Sequence, residues 1–244
     1  MNIRDEAVLR ELNLYPLWVR RTVVASTEAA PVTPVPVVEA TPVAVAPGPV
    51  TVRQAPVASP SALDWPELKR QVHDCAACKL RGGCTQTVFG VGDEKAEWLF
   101  VGEGPGADED AQGEPFVGQA GKLLDNMLAA IQLKRGSNVY IANIVKCRPP
   151  GNRTPEADEI AACLPYLQRQ IELIKPRLIV ALGKTAATSL LGRDATLGSL
   201  RGTLHDYRGT PLIVTYHPAY LLRSPAEKAK AWQDLCFARQ RMLT

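Results

Sequence analysis

The stretch "NVYIANIVKCRPPGNR", residues 138–153, decides the reading of the fold. Its first half, 138–145, is a short apolar run rich in β-branched and aromatic side chains, as expected of a strand buried on both faces. The run ends at Lys146, and a cysteine, an arginine, two prolines and a glycine then turn the chain sharply. Three other stretches share this pattern: "EWLFVGEG" (97–104), "PRLIVALG" (176–183) and "TPLIVTYHP" (210–218). Helical stretches alternate with them: "GQAGKLLDNMLAAI" (118–131), "TPEADEIAACLPYLQRQIELI" (154–174), "KTAATSLLG" (184–192) and "AEKAKAWQDLCFARQRML" (226–243). Thr154 reads as the N-cap of the second, with Pro155 at its first helical position. An earlier helix, "DWPELKRQVHDC", has Asp64 as N-cap and Pro66 in its first turn. Apolar strands alternating with helices predict an α/β fold, a three-layer α/β/α arrangement around a mainly parallel four-stranded sheet. In such a sheet functional residues gather at the carboxyl ends of the strands. The loops there are "GEGPGADED", "KCRPPGNR", "GKTA" and "HPAYLLR".

The composition leads up to that domain in two steps. Residues 1–24 include a short run near helical spacing, Val8, Leu9, Leu12 and Leu14, followed by Tyr15 and Trp18. Residues 25–62 carry Pro31, Pro34, Pro36, Pro42, Pro47, Pro49, Pro56 and Pro60 among Val, Ala and Thr. Prolines this dense remove backbone donors and fix φ, so a disordered or polyproline-like linker is expected. The N-terminal helix could dock on a protein partner. The catalytic or binding domain is then 63–244. A net charge of +3 over 244 residues permits a polyanionic partner without demanding one. No apolar run reaches membrane-span length, and the N-terminus has early acidic residues and no apolar signal core. A cytoplasmic location is expected, and in that compartment six cysteines read as ligands, reactive thiols or core residues rather than disulfides.

Cys75 and Cys78 form "CAAC", whose tight turn can bring two sulfurs to one metal centre. Cys147 stands at the mouth of the 138–145 strand and Cys163 in the helix after the next turn. Four such thiols suit zinc and a [4Fe–4S] cluster equally on ligand chemistry, and spacing favours neither. Cys236 reads as a small core residue of an amphipathic helix, and Cys84, in "RGGCTQ", as a bystander thiol.

Among the strand-end loops, "VGEGPGADED" lacks the G-x-G-x-x-G spacing of a dinucleotide loop, and Pro105 removes a donor. Glu103 and Gly104 lie at a strand's end, well placed to meet a ligand. The acidic run Asp108, Glu109, Asp110 reads by itself as a solvated loop. Phe116, among glycines and polar residues, can be a core lid or a stacking platform for a planar ring. Asn143 lies within an apolar strand, where its amide must be satisfied. It is either structural or a reader of a ring edge offering one donor and one acceptor. His217, directly after the fourth strand, can donate to a developing oxyanion. Leu221, Leu222 and Arg223 suit a wedge into stacked bases with a phosphate contact, or a plain loop packing on the core.

Together these pieces resemble the family 4 uracil-DNA glycosylases, the iron–sulfur branch of the uracil-DNA glycosylase superfamily. The stretches carrying the resemblance are "CAAC", "VGEGPGADEDAQGEPFVGQAGKLLDNML", "VYIANIVKCRPPGNRTPEADEIAAC", "IVALGKTAA" and "HPAYLLR", in family order across roughly 65–240. The resemblance implies hydrolysis of the N-glycosidic bond of deoxyuridine in single- or double-stranded DNA, by a protein expected to act as a monomer. It implies a [4Fe–4S] cluster on Cys75, Cys78, Cys147 and Cys163. It puts Glu103 at the motif position associated with catalysis, Phe116 at the one that stacks on uracil, Asn143 at the one that reads its edge and His217 beside O2. Gly104 falls with the substrate-binding positions. Glu109 and Asn152 match further polar positions near the site, and Leu221, Leu222 and Arg223 the DNA-contacting loop. A relative that keeps the cluster and binds nucleic acid without hydrolysis is the alternative. No inserted basic loop, as in a covalently attacking branch, lies between Gly106 and Phe116.

Overall fold

The computed structural model describes residues 60–243. The helix expected within 1–24 and nearly all of the 25–62 linker lie outside the described residues. Six strands form one sheet in the order β1-β3-β2-β4-β6-β5. The four expected strands are its centre: β2 (Trp98–Gly102), β3 (Val139–Asn143), β4 (Leu178–Leu182) and β6 (Thr210–Thr215), all parallel. The expectation of four strands is corrected by two short edge strands, β1 (Val91–Gly92) and β5 (His205–Tyr207), which pair antiparallel to β3 and β6. They run two and three residues and are mostly half-exposed, so they carry no continuous apolar signal.

Side chains of the central strands alternate between two cores, as the pleat dictates. Leu99, Val101, Ala142, Ile179, Ala181 and Val214 face one. Helices α1 (Trp65–His73), α4 (Ala157–Ile174) and α5 (Lys184–Leu191) cover it, with the single turn α6 (Leu197–Leu200). Phe100, Ile141, Val180, Leu182 and Ile213 face the other. That side is covered by α3 (Gln119–Ala130), α7 (Pro218–Arg223) and α8 (Lys228–Leu243), while the short α2 (Ala107–Gln112) follows β2. This is the three-layer arrangement the alternation predicts.

Helix starts follow local chemistry. Asp64 caps α1 in a full capping box: its carboxylate accepts from the Glu67 amide at 3.0 Å, and Glu67 accepts from the Asp64 amide at 3.4 Å. For α4 the expected cap is two residues off: Glu156, not Thr154, is the N-cap. The buried Glu159 carboxylate accepts from the Glu156 amide at 2.7 Å and takes the Arg153 guanidinium at 2.6 and 2.9 Å, which fixes where the helix begins. Those Arg153 bonds hold the Glu159 carboxyl well below the usual range, at about 2.

Cys236 is also corrected, because it is exposed. The buried line of α8 is Ala231, Asp234, Leu235 and Ala238, and Cys236 falls beside it on the solvent side.

Candidate active site

A cavity of about 460 Å³ opens at the carboxyl ends of β2, β3 and β6. Its wall includes Glu103, Gly104, Glu109, Phe116, Asn143, Asn152, His217 and Arg223, residues that lie more than a hundred positions apart in sequence. The fold therefore gathers eight of the ten non-cysteine candidates.

Asn143 ends β3 and is 2% exposed. Its Oδ1 is buried without a hydrogen-bond partner. Orphaned buried acceptors are rare because each costs on the order of 1–3 kcal/mol, so an orphan in a cavity wall points to a ligand that completes it. A methyl group on Gly102 would lie 2.5 Å from Asn143 Oδ1 and 2.5 Å from Phe116 Cζ. The glycine thus leaves the room in which carboxamide and phenyl ring meet.

Phe116 sits at φ 56°, in the left-handed region that non-glycine residues rarely adopt. Arg135 donates to the Pro115 and Phe116 carbonyls at 2.8 Å each and to Asp125 at 3.0 Å, clamping the loop. Gly121 of α3 must be a glycine, because a Cβ there would lie 1.8 Å from the Phe116 carbonyl oxygen. The ring packs 5.4 Å from the His217 imidazole, tilted by 33°.

His217 caps α7, and its Nδ1 accepts from the Ala219 amide at 3.2 Å. That bond leaves the proton on Nε2 in the neutral ring. Some of its surface opens to the cavity, yet it is densely surrounded, and burial pushes its pKa down to about 4, with Arg223 adding to the shift. At neutral pH the imidazole is uncharged and offers an Nε2–H donor.

Glu103 follows β2, and its Oε2 accepts from the Thr185 hydroxyl at 2.5 Å. Gly104 next to it has no room for a side chain, since a Cβ would meet Val145 Cγ2 at 2.8 Å. Glu109 has a different part. Its carboxylate accepts from the amides of Gly106, Val117 and Gly118 at 2.9–3.1 Å, so it ties α2 to the Phe116 loop. Asn152, at φ 56°, accepts from Arg148 Nε at 2.7 Å.

The wedge expected at 221–223 is partly corrected. Residues Pro218–Arg223 are helical, and Leu221 is 1% exposed within the second core. Leu222 is 44% exposed, and Arg223 lines the cavity.

Beyond β3 a second, small cavity is lined by Cys75, Cys78, Cys147 and Cys163, together with Leu80, Lys146 and Tyr166. Burial pushes the Cys163 thiol up to about 11 and raises Cys78 and Cys147 as well. To hold a metal these thiols must lose their protons, and the metal must then supply the compensating charge. The Lys146 amide donates to Cys163 Sγ at 3.2 Å, the kind of hydrogen bond that tunes an iron–sulfur centre. Among the described residues no three His, Cys, Asp or Glu side chains are set to close on a single metal ion. Cys84 packs beside Cys147, with its sulfur 3.8 Å from Arg81 Nη1 and 3.6 Å from the Arg81 carbonyl.

The uracil DNA glycosylase superfamily model matches residues 89–236. A type-4 uracil-DNA glycosylase of Pyrobaculum aerophilum is 44% identical over 71% of this chain and 92% of its own length. One of Archaeoglobus fulgidus is 45% identical over 65% and 83%, and one of Thermotoga maritima 44% identical over 67% and 85%. The chain belongs to the uracil-DNA glycosylase superfamily.

Several residues that hold the site's loops and strand ends in place escaped the sequence reading. Thr185 lay in the noted "GKTA" loop but had no assigned partner. Arg135 sits in a turn with no motif. Asp110, in the run read as solvated, is 5% exposed and accepts from the Thr85 and Gln86 amides at 2.9–3.3 Å. Lys146 is fully buried, and its Nζ donates to the Asn143 carbonyl at 3.0 Å and to Gln170 Oε1 at 2.6 Å. Burial lowers its pKa to about 8. Its position directly before Cys147 was the signal: a charged residue inside an apolar strand end must have partners.

Proposed function

We propose that this chain hydrolyses the N-glycosidic bond of deoxyuridine in DNA, releasing uracil and leaving an abasic site. The orphaned Asn143 Oδ1 in the cavity wall carries the reading. Uracil offers N3–H to that oxygen and O4 to the amide nitrogen. Cytosine reverses both groups, leaving two buried mismatches and hence rejection.

The base leaves the stack first, at a cost of a few kcal/mol. Phe116 then holds the ring by stacking. As the glycosidic bond breaks, the electron pair goes to the uracil ring, and the neutral His217 Nε2–H donates to O2 where negative charge grows. The sugar becomes cation-like and water adds to its C1′, losing a proton to solvent while the departing uracil anion takes one up, so that uracil and an abasic hydroxyl result. Glu103, held by Thr185, faces that charge as stabiliser or as orienter of the water. Leu222 replaces the buried Leu221 as wedge, and Arg223 supplies a cation for phosphate. Glu109 and Asn152 position the loops.

Cys75, Cys78, Cys147 and Cys163 would hold one [4Fe–4S] cluster. It would supply no step of the hydrolysis but would pin the CxxC segment to β3 and α4. The shared cavity, the buried Cys147 and Cys163 thiols and the amide bond to Cys163 support this fit. A cytoplasmic monomer is part of the same reading.

The test is strand scission at abasic sites after incubation with U·G, U·A and single-stranded uracil oligonucleotides, with cytosine and thymine controls. Scission at the uracil position, in the uracil substrates alone, is expected. DNA binding with no release from any of them would favour the non-catalytic relative.

A further inference from the structure

Tyr220 stands on the rim of the base cavity and is 39% exposed. A single exposed tyrosine is ordinary, but this one is built in. Its ring stacks on Tyr216, centroids 5.3 Å apart and 12° from parallel. The Arg201 guanidinium lies 4.3 Å from the Tyr216 ring centre. Arg201 is fixed in turn by Asp234 at 2.7 and 3.0 Å and by the Lys230 carbonyl at 2.7 Å. The Tyr216 hydroxyl donates to Glu227 at 2.6 Å. Both tyrosines flank His217 in sequence, so the pile is anchored at the end of β6 where the cavity opens.

We infer that Tyr220 is a stacking platform for the nucleobase directly adjoining the extruded deoxyuridine in the same strand. Removing uracil from the stack leaves its neighbour with one bare face, and a rigid aromatic ring at the cavity mouth covers such a face without reading its identity. Two χ angles, already fixed by the pile, keep the ordering cost low. The inference rests on the glycosylase reading and adds to it a subsite for the flanking base.

The experiment is a residue–base cycle. Single-turnover uracil release would be measured for the parent, Tyr220→Phe and Tyr220→Ala. The oligonucleotides would carry a normal base beside the uracil, or a baseless tetrahydrofuran unit on its 5′ or 3′ side. On one side, loss of the neighbouring base should slow the parent roughly 5- to 160-fold, the range of one base–aromatic stack. Tyr220→Ala should lose a similar factor on the intact strand and little more on the baseless one, while Tyr220→Phe keeps the parent's rates. Losses that multiply on both sides, as a merely structural tyrosine would give, would overturn the inference. So would Tyr220→Ala rates equal to the parent's. No uracil release by the parent from any substrate would instead refute the glycosylase reading beneath it.

Discussion

In the proposed mechanism Asn143 and His217 divide recognition and charge stabilisation between two neutral side chains. Asn143 is held from behind, because Lys146 grips its backbone carbonyl and leaves the carboxamide to face the cavity. Truncating it to Ala removes both hydrogen bonds to the base, so kcat/KM on uracil DNA should fall by at least roughly 100-fold, with thermal stability little changed. Steady-state kinetics beside a melting curve checks this. For His217 the folded-state pKa lies below the unfolded one. Between pH 6.5 and about 4 the unfolded chain binds the proton and the folded chain does not. This group's contribution to stability is therefore complete above pH 6.5 and is lost as pH falls toward 4. Uracil release between pH 6 and 8 should show no ionisation assignable to His217. A step near pH 6.5 that vanishes in His217→Gln would contradict the neutral-donor assignment.

At the scale of elements, the loop from β2 through α2 to α3 carries Phe116 into the cavity wall. Gly102→Ala would drive a methyl into both Asn143 and Phe116. It should lower uracil release at least roughly tenfold and cost about 1–3 kcal/mol of stability, measured by kinetics and denaturant titration. Arg135→Met, which frees two carbonyls of the Phe116 loop, should slow release while leaving iron content unchanged. What was legible here followed burial. The four central strands announce themselves because both faces are covered and the apolar runs are unbroken. β1 and β5 do not, being short and half-exposed. Thr154 looked like a cap by composition, but Glu159 at the third helical position accepts from the Glu156 amide and pairs with Arg153 six residues before it, and these local contacts set the helix start. Leu221 looked like an exposed wedge because "LLR" does not reveal which leucine faces the core.

Across the whole molecule, β3 joins two sites. Its last residue, Asn143, lines the cavity at the strand ends, and four positions later Cys147 lines the thiol cavity. The aerobically purified protein should be brown and carry about four irons per chain. Cys163→Ala should lose the iron and melt roughly 5–15 °C lower, as expected when a site worth a few kcal/mol is lost from a domain of this size. Iron analysis with a thermal melt checks both. The thiol set was visible in the sequence as positions, but its convergence on one cavity needed the fold. The two-neutral-residue account of the base site stands most directly on single-turnover uracil release from a U·G duplex by the parent, Asn143→Ala and His217→Ala. The prediction is one uracil per parent active site and rates reduced by at least roughly 100-fold in each variant, with iron content retained. Release by both variants at the parent's rate would contradict it.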